Sequence, residues 1–238
     1  MNYFFYILFG VLPSFIWLLY FLRKDVHPES NRMVLKIFLY GMLVTLPAIL
    51  IEKGAGDFIS SWLKESFFGK ILYIFIGVAF IEEFLKYLVV RDKVLADPEF
   101  DEPTDVILYL IIAALGFAAL ENILYLLQFK ILGEVIFITS FRFLGAIFLH
   151  ALCSGTLGYF LALSFYTPEK KLRLLVFGFS LTTLLHGVFN YSIIKIEDNW
   201  AFVFLPIIIL IGLSIFVTFG FKRLKKIKSV CKIEYMPR

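Results

Sequence analysis

The sequence is poor in charged residues, and it lacks the short alternating segments that build a membrane β-barrel. Only 18% of the 238 residues are charged and 61% are hydrophobic, whereas soluble domains average about 45–50% apolar residues. This composition excludes a soluble globular fold. Because backbone polar groups in lipid must be satisfied within one segment, the long apolar runs predict transmembrane helices.

Cysteine is also scarce, and the common zinc-protease motif is absent. The two cysteines are Cys153, within an apolar run, and Cys231, near the C-terminus. Their spacing fits neither a disulfide framework nor a zinc finger. No His-Glu-x-x-His sequence occurs, so the sequence lacks the helical motif in which two histidines bind the zinc ion of many metalloproteases.

The apolar runs predict an all-α, polytopic bundle of about seven to eight spans, each of roughly 20 residues. The run 134–165 is too long for one upright helix, so we expect it to divide near Arg142; an eighth span hidden there is the alternative. The mixed stretch 57–68 suggests an interfacial helix. The seven spans are predicted at 3–22, 34–51, 71–90, 105–129, the second part of 134–165, 172–194 and 201–221.

Basic residues are distributed unevenly between the loops. With the N-terminus outside, sixteen lie in inner segments and five in outer loops, which predicts a plasma-membrane protein with a cytoplasmic C-terminus. We expect one integral membrane domain, 1–238, with a catalytic helix core at 70–194 and a basic tail at 222–238. That tail is typical of a cytoplasmic anchor contacting anionic membrane lipids rather than of a nucleic-acid site. The acidic, proline-containing loop 97–103 should lie outside the membrane.

Two adjacent glutamates, Glu82 and Glu83, lie inside the third predicted span. A charge at the bilayer centre costs about 3 kcal/mol, so such residues indicate function by default. Lys86 follows at helical spacing from both glutamates. A purely structural ion pair is the alternative, but it would leave one carboxylate unpaired, and an unpaired buried carboxylate suits general acid–base catalysis.

The following spans carry further polar residues at similar depth. Glu121 interrupts an apolar helix, where a hydrogen bond to a nearby Asn or Tyr is the structural alternative. His150 belongs to a stripe with Ser154 in which small residues recur every fourth position, a pattern typical of helix packing; only His150 on that stripe suggests chemistry. His186 and Asn190 lie one turn apart and could hold an oxyanion or form a polar clamp between helices. In the predicted topology these residues share a cavity that opens to the outer side.

Four motifs occur in chain order: Glu-Glu-x-x-Lys at 82–86, Phe-x-x-x-Glu-Asn-x-x-Tyr at 117–125, His-x7-Gly at 150–158 and His-x-x-x-Asn at 186–190. Together they resemble the PrsW family of intramembrane proteases, which is distantly related to the CAAX prenyl endopeptidases and the Abi proteins. Two positions depart from the wider pattern. Glu121 stands where the second motif often ends in His, and Asn190 stands where PrsW-like members often have Asp.

The resemblance implies hydrolysis of a peptide bond in a single-span membrane protein, such as an anti-sigma factor. By analogy with the prenyl endopeptidases, Glu82 would activate a water molecule. Glu83 and Lys86 would position Glu82. His186 and Asn190 would hold the oxyanion.

For the remaining motif residues, the resemblance implies that Glu121 takes the place of a water-orienting histidine and that His150 assists the leaving amine. Phe117 and Asn122 would support the site. This mechanism needs no metal, although zinc is possible because Glu and His are zinc ligands. A proton-coupled transporter using the same carboxylates and histidines, and a non-catalytic membrane scaffold, are the alternatives.

Overall fold

The computed structural model describes residues 3–24, 28–64, 66–95, 97, 100 and 102–226. Within these residues the protein is helical and contains no strand, which confirms the predicted all-α class. The α-helices are α1 (Tyr3–Leu22), α2 (Asn31–Leu63), α3 (Phe67–Leu72), α4 (Ile81–Lys93), α5 (Pro103–Leu126), α6 (Leu132–Leu144), α7 (Ala146–Tyr166), α8 (Lys171–Lys195) and α9 (Phe204–Leu224).

Six helical stretches are long and apolar enough to cross a membrane. They comprise α1, α2, α5, the consecutive α6 and α7, α8 with the 3₁₀ turn before it, and α9 with the 3₁₀ turn before it. A further continuous helix runs from α3 through a π-helical stretch, Tyr73–Phe80, into α4. It carries the glutamate pair and covers the predicted third span, so the helices are approximately consistent with the predicted seven to eight spans.

Helix α5 lies at the centre of the bundle. In its most apolar window 83% of the residues are buried, against 22–39% in the other candidate spans. Its neighbours include α1, α2 and α7. A Cβ atom at Gly116 would collide with the Phe38 carbonyl group of α2, so glycine allows the two backbones to touch. This close crossing fixes the position of Glu121, which lies further along α5.

The π-helical stretch precedes the glutamate pair directly and packs against α8. A Cβ atom at Gly187 would collide with the ring of Phe75 in that stretch. The missing side chain therefore brings α8 close to this helix, and His186 sits beside that contact. Isolated π-helical turns are frequent at functional sites.

One predicted segment differs from the structure, and one predicted division is confirmed. The predicted interfacial helix at 57–68 does not form as one unit, since α2 continues to Leu63 and α3 begins at Phe67. The separation is set by Ser66, whose hydroxyl caps α3 by accepting a hydrogen bond from the Gly69 backbone. The division of 134–165 near Arg142 is confirmed, because α6 ends at Leu144 and α7 begins at Ala146.

Parts of two predicted segments lie outside the described residues. In the acidic loop these are 98, 99 and 101, and in the basic tail they are 227–238, which include Cys231.

Candidate active site

The polar residues predicted at membrane depth come together in one buried cluster between α4, α5, α7 and α8. Glu82, Glu83 and Lys86 project from α4, His150 from α7 and His186 from α8, and each is at most 5% exposed. Glu121 of α5 joins them from the partly exposed side. The convergence that the sequence predicts is therefore present.

Glu83 is the anchored carboxylate of the cluster. It accepts hydrogen bonds from Lys86 Nζ at 2.8 Å, from Ser154 Oγ at 2.8 Å and from His186 Nδ1 at 3.1 Å. Its side chain is fully buried. A buried carboxylate with three donors is satisfied and held in place, so Glu83 has little capacity left for a reacting group.

Lys86 joins the two glutamates and one histidine. Its ammonium donates to Glu82 Oε2 at 3.2 Å and to Glu83 Oε1 at 2.8 Å, and it lies 2.8 Å from His150 Nδ1. The ring of Phe117 lies beneath it, with 4.4 Å from Nζ to the ring centroid. The expectation that an ion pair would leave one carboxylate unpaired is wrong, because one ammonium has three protons and bonds to both.

The hydrogen bonds fix the orientation of both imidazoles. An ammonium can only donate, so His150 Nδ1 accepts from Lys86 and the Nε2 proton points to Glu121 Oε2 at 3.1 Å. His186 Nδ1 donates to Glu83, which leaves the lone pair on its Nε2. Both lone-pair nitrogens face Glu82 Oε2, His150 Nδ1 at 3.5 Å and His186 Nε2 at 3.8 Å.

Glu121 forms the outer edge of the cluster, and its side chain is 30% exposed. Its partners are His150 and the guanidinium of Arg142, at 2.9 Å, and not the Asn or Tyr of the structural alternative. Both bonds use Oε2, so Oε1 has no hydrogen-bond partner among the described residues. Arg142 also donates to Asn122 Oδ1 at 2.6 Å, which places Asn122 behind Glu121 in a supporting position.

Asn190 lies one helical turn after His186 and is half-buried. It does not take part in the hydrogen bonds that hold the cluster. Within the described part of the chain its amide has no hydrogen-bond partner.

Sequence reasoning missed three residues at or near this site. Arg142 was used only to mark a helix break, although a single arginine within an otherwise apolar stretch is a signal of its own. Ser154 was assigned to a packing stripe, and this assignment was incomplete because its hydroxyl binds Glu83. Glu52 of α2 lies within electrostatic range of Glu82 and Glu121. Its buried Oε1 atom has no hydrogen-bond partner in the described structure.

The donor atoms have the spacing and chemistry of a metal site. One ligand atom from each of Glu82, Glu83, His150 and His186 lies within 4.8 Å of the others. Two donors that share a tetrahedral zinc ion at bonds of about 2.0–2.2 Å lie roughly 3.4 Å apart, close to the 3.5 and 3.8 Å between Glu82 and the two imidazoles. Each imidazole also directs its other nitrogen to a carboxylate, as metal-binding histidines usually do. These residues therefore fit a divalent metal such as zinc.

Comparison with known proteins gives the family. Residues 29–218 match the family described as PrsW family intramembrane metalloprotease. The chain is 33% identical over 196 residues to Protease PrsW of Geobacillus kaustophilus, covering 81% of each chain. It is 30% identical over 230 residues to Protease PrsW of Bacillus subtilis, covering 93% of this chain and 94% of that relative. No solved structure matches. The resemblance drawn from the four motifs is thus confirmed: the chain is a multi-pass membrane protein that belongs to the PrsW family of intramembrane proteases.

Proposed function

We propose that this protein is an intramembrane endopeptidase whose reaction depends on a divalent metal held by Glu82, His150 and His186. The observation that carries the proposal is that one nitrogen of each imidazole lies near the same oxygen of Glu82, at 3.5 and 3.8 Å. This differs from the metal-free mechanism favoured by the sequence. In that mechanism His186 donates to an oxyanion, yet its Nδ1 is already directed to Glu83 at 3.1 Å, and its Nε2 lies 3.8 Å from the carboxylate of Glu82.

The charges around Glu82 support this assignment. Three carboxylates, Glu82, Glu83 and Glu121, are paired with only two cations, Lys86 and Arg142. With both imidazoles neutral, the cluster would accommodate further positive charge. A bound divalent ion polarises a carbonyl oxygen and makes water acidic enough to be deprotonated near neutral pH.

Lys86 has a positioning role in this proposal. Its ammonium uses the lone pair of His150 Nδ1 that a metal would need. Lys86 would then give up this bond and keep its 2.8 Å bond to Glu83. Lys86 would also release Glu82 Oε2, which it contacts at 3.2 Å, so that Glu82 could bind the ion while the bond to Glu83 keeps the ammonium paired.

Glu121 is the group best suited to move protons. Among the three carboxylates of the cluster it is the most exposed, with 30% of its side chain accessible against 7% for Glu82 and none for Glu83. Its Oε1 atom is unengaged within the described residues. We propose that Oε1 takes the proton of the attacking water and passes it to the leaving amine, as a general base and then a general acid.

Asn190 would complete the site. Its amide is unbonded in the described structure and projects from the same face of α8 as His186, one turn away. Donation from Asn190 Nδ2 to the carbonyl oxygen of the scissile bond would stabilise the negative charge that develops there.

The substrate of a protease is a protein, and we propose a single-span membrane protein of the anti-sigma-factor kind. The proposal is supported by a groove of about 640 Å³ between the π-helical stretch, α4 and α8, which could hold an apolar substrate segment. It is lined by Phe80 and Phe84, which flank the glutamate pair, and by Thr183, one turn before His186. The buried Thr183 hydroxyl has no hydrogen-bond partner in the described residues and could bond to the backbone of such a segment.

We further propose an external N-terminus and a cytoplasmic C-terminus, on the basis of the uneven distribution of basic residues. A reporter fused after Arg238 should then read cytoplasmic, and one inserted at 196–199, between α8 and the turn before α9, should read external. The same side for both reporters would contradict the orientation.

The proposed activity is tested by cleavage of a single-span substrate in proteoliposomes that contain the full-length protein. Cleavage should be lost after strong chelation and restored by zinc, and Glu82→Gln should abolish it. Glu134→Gln is the matched control, since Glu134 is exposed at the start of α6, outside the cluster. Full cleavage by Glu82→Gln would contradict the assignment.

A further inference from the structure

A cleft of about 150 Å³ lies between α1, α7 and α9, separate from the cluster of carboxylates and histidines. Three lysines line it at the carboxyl ends of two helices: Lys24 follows α1, while Lys222 and Lys225 are at the end of α9. Apolar side chains line the rest, including Leu152 and Val217. The cleft therefore combines a basic end with an apolar wall.

The three lysine side chains all line this one cleft. None of them forms an ion pair with a carboxylate in the described residues, although other lysines do. Lys225 Nζ donates to the backbone oxygen of Lys24, and Lys24 Nζ lies 4.7 Å from the centroid of the Tyr20 ring. Three positive charges around one cleft are unfavourable unless an anion balances them.

The apolar wall indicates what kind of anion this is. The wall also includes Tyr20 of α1, which is 42% exposed, and Phe148 of α7, which is partly exposed. Beyond the wall, α9 exposes a row of large apolar side chains, among them Ile208, Ile211 and Ile215, as expected of a helix that faces lipid. A small hydrophilic anion would satisfy the lysines and leave the wall uncovered.

We propose that this cleft binds one anionic phospholipid, with its phosphate between Lys24, Lys222 and Lys225 and an acyl chain along the apolar wall. Ammonium groups only donate, and phosphate oxygens only accept when ionised, so the polar end is complementary. The helix ends that carry the lysines are where the positive-inside argument expects the cytoplasmic membrane surface. Phe148 and Leu152, which line the cleft, flank His150 in α7, so the lipid contacts the helix that carries a site imidazole.

The experiment measures lipid binding to the delipidated full-length protein in detergent, using native mass spectrometry. Phosphatidylglycerol is the probe, phosphatidylcholine the neutral comparison and inorganic phosphate the competitor. The cleft variant carries glutamine at Lys24, Lys222 and Lys225. Each lysine near an anionic lipid contributes about fivefold in affinity, so the variant should bind phosphatidylglycerol at least about tenfold more weakly.

A matched control removes the same charge from the same helix ends. It carries glutamine at Arg23, Arg223 and Lys226, which are exposed and do not line the cleft. The control should retain most of the wild-type preference for phosphatidylglycerol over phosphatidylcholine. Equal losses of phosphatidylglycerol affinity in the two variants would mean that the lipid is attracted by the general surface charge and not by the cleft, and would overturn the proposal. Displacement of the lipid by millimolar phosphate would overturn it as well, since the site would then be one for a free anion.

A second variant covers the case in which the cleft variant does not fold. Thr218 lines the cleft and is exposed, so Thr218→Trp fills the space without entering the core or changing the charge. It should reduce retention of phosphatidylglycerol while the melting temperature of the lipid-free protein stays unchanged. Undiminished retention would overturn the proposal.

Discussion

The site contains two pairs of a carboxylate and an imidazole with the same contact distance and different surroundings. In the inner pair, Glu83 and His186 meet at 3.1 Å and both side chains are at most 1% exposed. In the outer pair, Glu121 and His150 also meet at 3.1 Å, but Glu121 is 30% exposed and is held by Arg142. Hydrogen bonds of equal length therefore occur in two different settings. The inner pair is fully enclosed and fixed, whereas the outer pair includes a carboxylate that is partly exposed.

The largest effect should come from the inner pair. Glu83→Gln removes the nearer of the two carboxylates that balance the buried Lys86 and also weakens the bond from His186. Removing one partner of a buried ion pair costs about 3–5 kcal/mol, so thermal unfolding should shift strongly to lower temperature and cleavage should be lost with it. A melting temperature equal to wild type would mean that Glu83 does not hold the cluster together.

The outer pair should separate activity from stability. Glu121→Gln keeps the shape and its amide oxygen can still accept from Arg142, so the fold should persist. Loss of a general acid–base group should reduce kcat about 10²–10⁴-fold. Cleavage in proteoliposomes and a thermal melt on the same preparation provide the two readouts. Near-wild-type cleavage would exclude Glu121 from proton transfer and end the distinction between the two pairs.

Arg142 tests whether the outer pair depends on its guanidinium. This side chain bonds to Glu121 and Asn122 through two different nitrogens, a forked geometry that lysine does not reproduce. Arg142→Lys should therefore reduce kcat/KM about tenfold, between wild type and Arg142→Gln, because it keeps the charge and loses the fork. The measurement is kcat/KM of the wild type, Arg142→Lys and Arg142→Gln over the same range of substrate concentrations. Full activity in Arg142→Gln would show that Glu121 needs no such partner.

The smallest expected effect concerns one of the three donors to Glu83. Ser154→Ala removes the 2.8 Å bond to Glu83 Oε2 and leaves the bonds from Lys86 and His186. A hydrogen bond to a charged group contributes about 1.5–3 kcal/mol, which should lower stability measurably. Ser164→Ala is the control, since Ser164 is equally buried on the same helix and bonds only to the backbone oxygen of Leu161. Identical melting temperatures for the two variants would mean that Ser154 contributes no more than ordinary packing.

The sequence predicted the helices and the convergence well, because both follow from local pattern. Apolar runs determine the spans, and the three- and four-residue spacing of Glu82, Glu83 and Lys86 determines that they share a helix face. Contacts between residues on different helices could not be predicted from such spacing. Arg142 reaches Glu121 only because the helix break at Gly145 lets α6 lie beside α5, and no spacing in the sequence encodes that contact.

The assignment of proton positions also required the structure. From the sequence we predict that His186 and Asn190 hold an oxyanion together, because they lie one turn apart on one helix. Which nitrogen of His186 carries the proton depends on Glu83, which comes from another helix. The same holds for His150, whose orientation is set by Lys86 and Glu121. These tertiary hydrogen bonds are the reason why we propose a metal site in place of the oxyanion role that the sequence suggested.

The measurement that tests the central claim most directly is the zinc content of the purified full-length protein after equilibration with zinc and removal of the unbound ion. We expect one ion per chain in the wild type, and loss of that ion in Glu82→Gln and in His186→Ala. Asn190→Ala, with its change on the same face of α8, should retain the metal. Zinc content in the wild type no higher than in Glu82→Gln, together with full cleavage after chelation, would contradict the account.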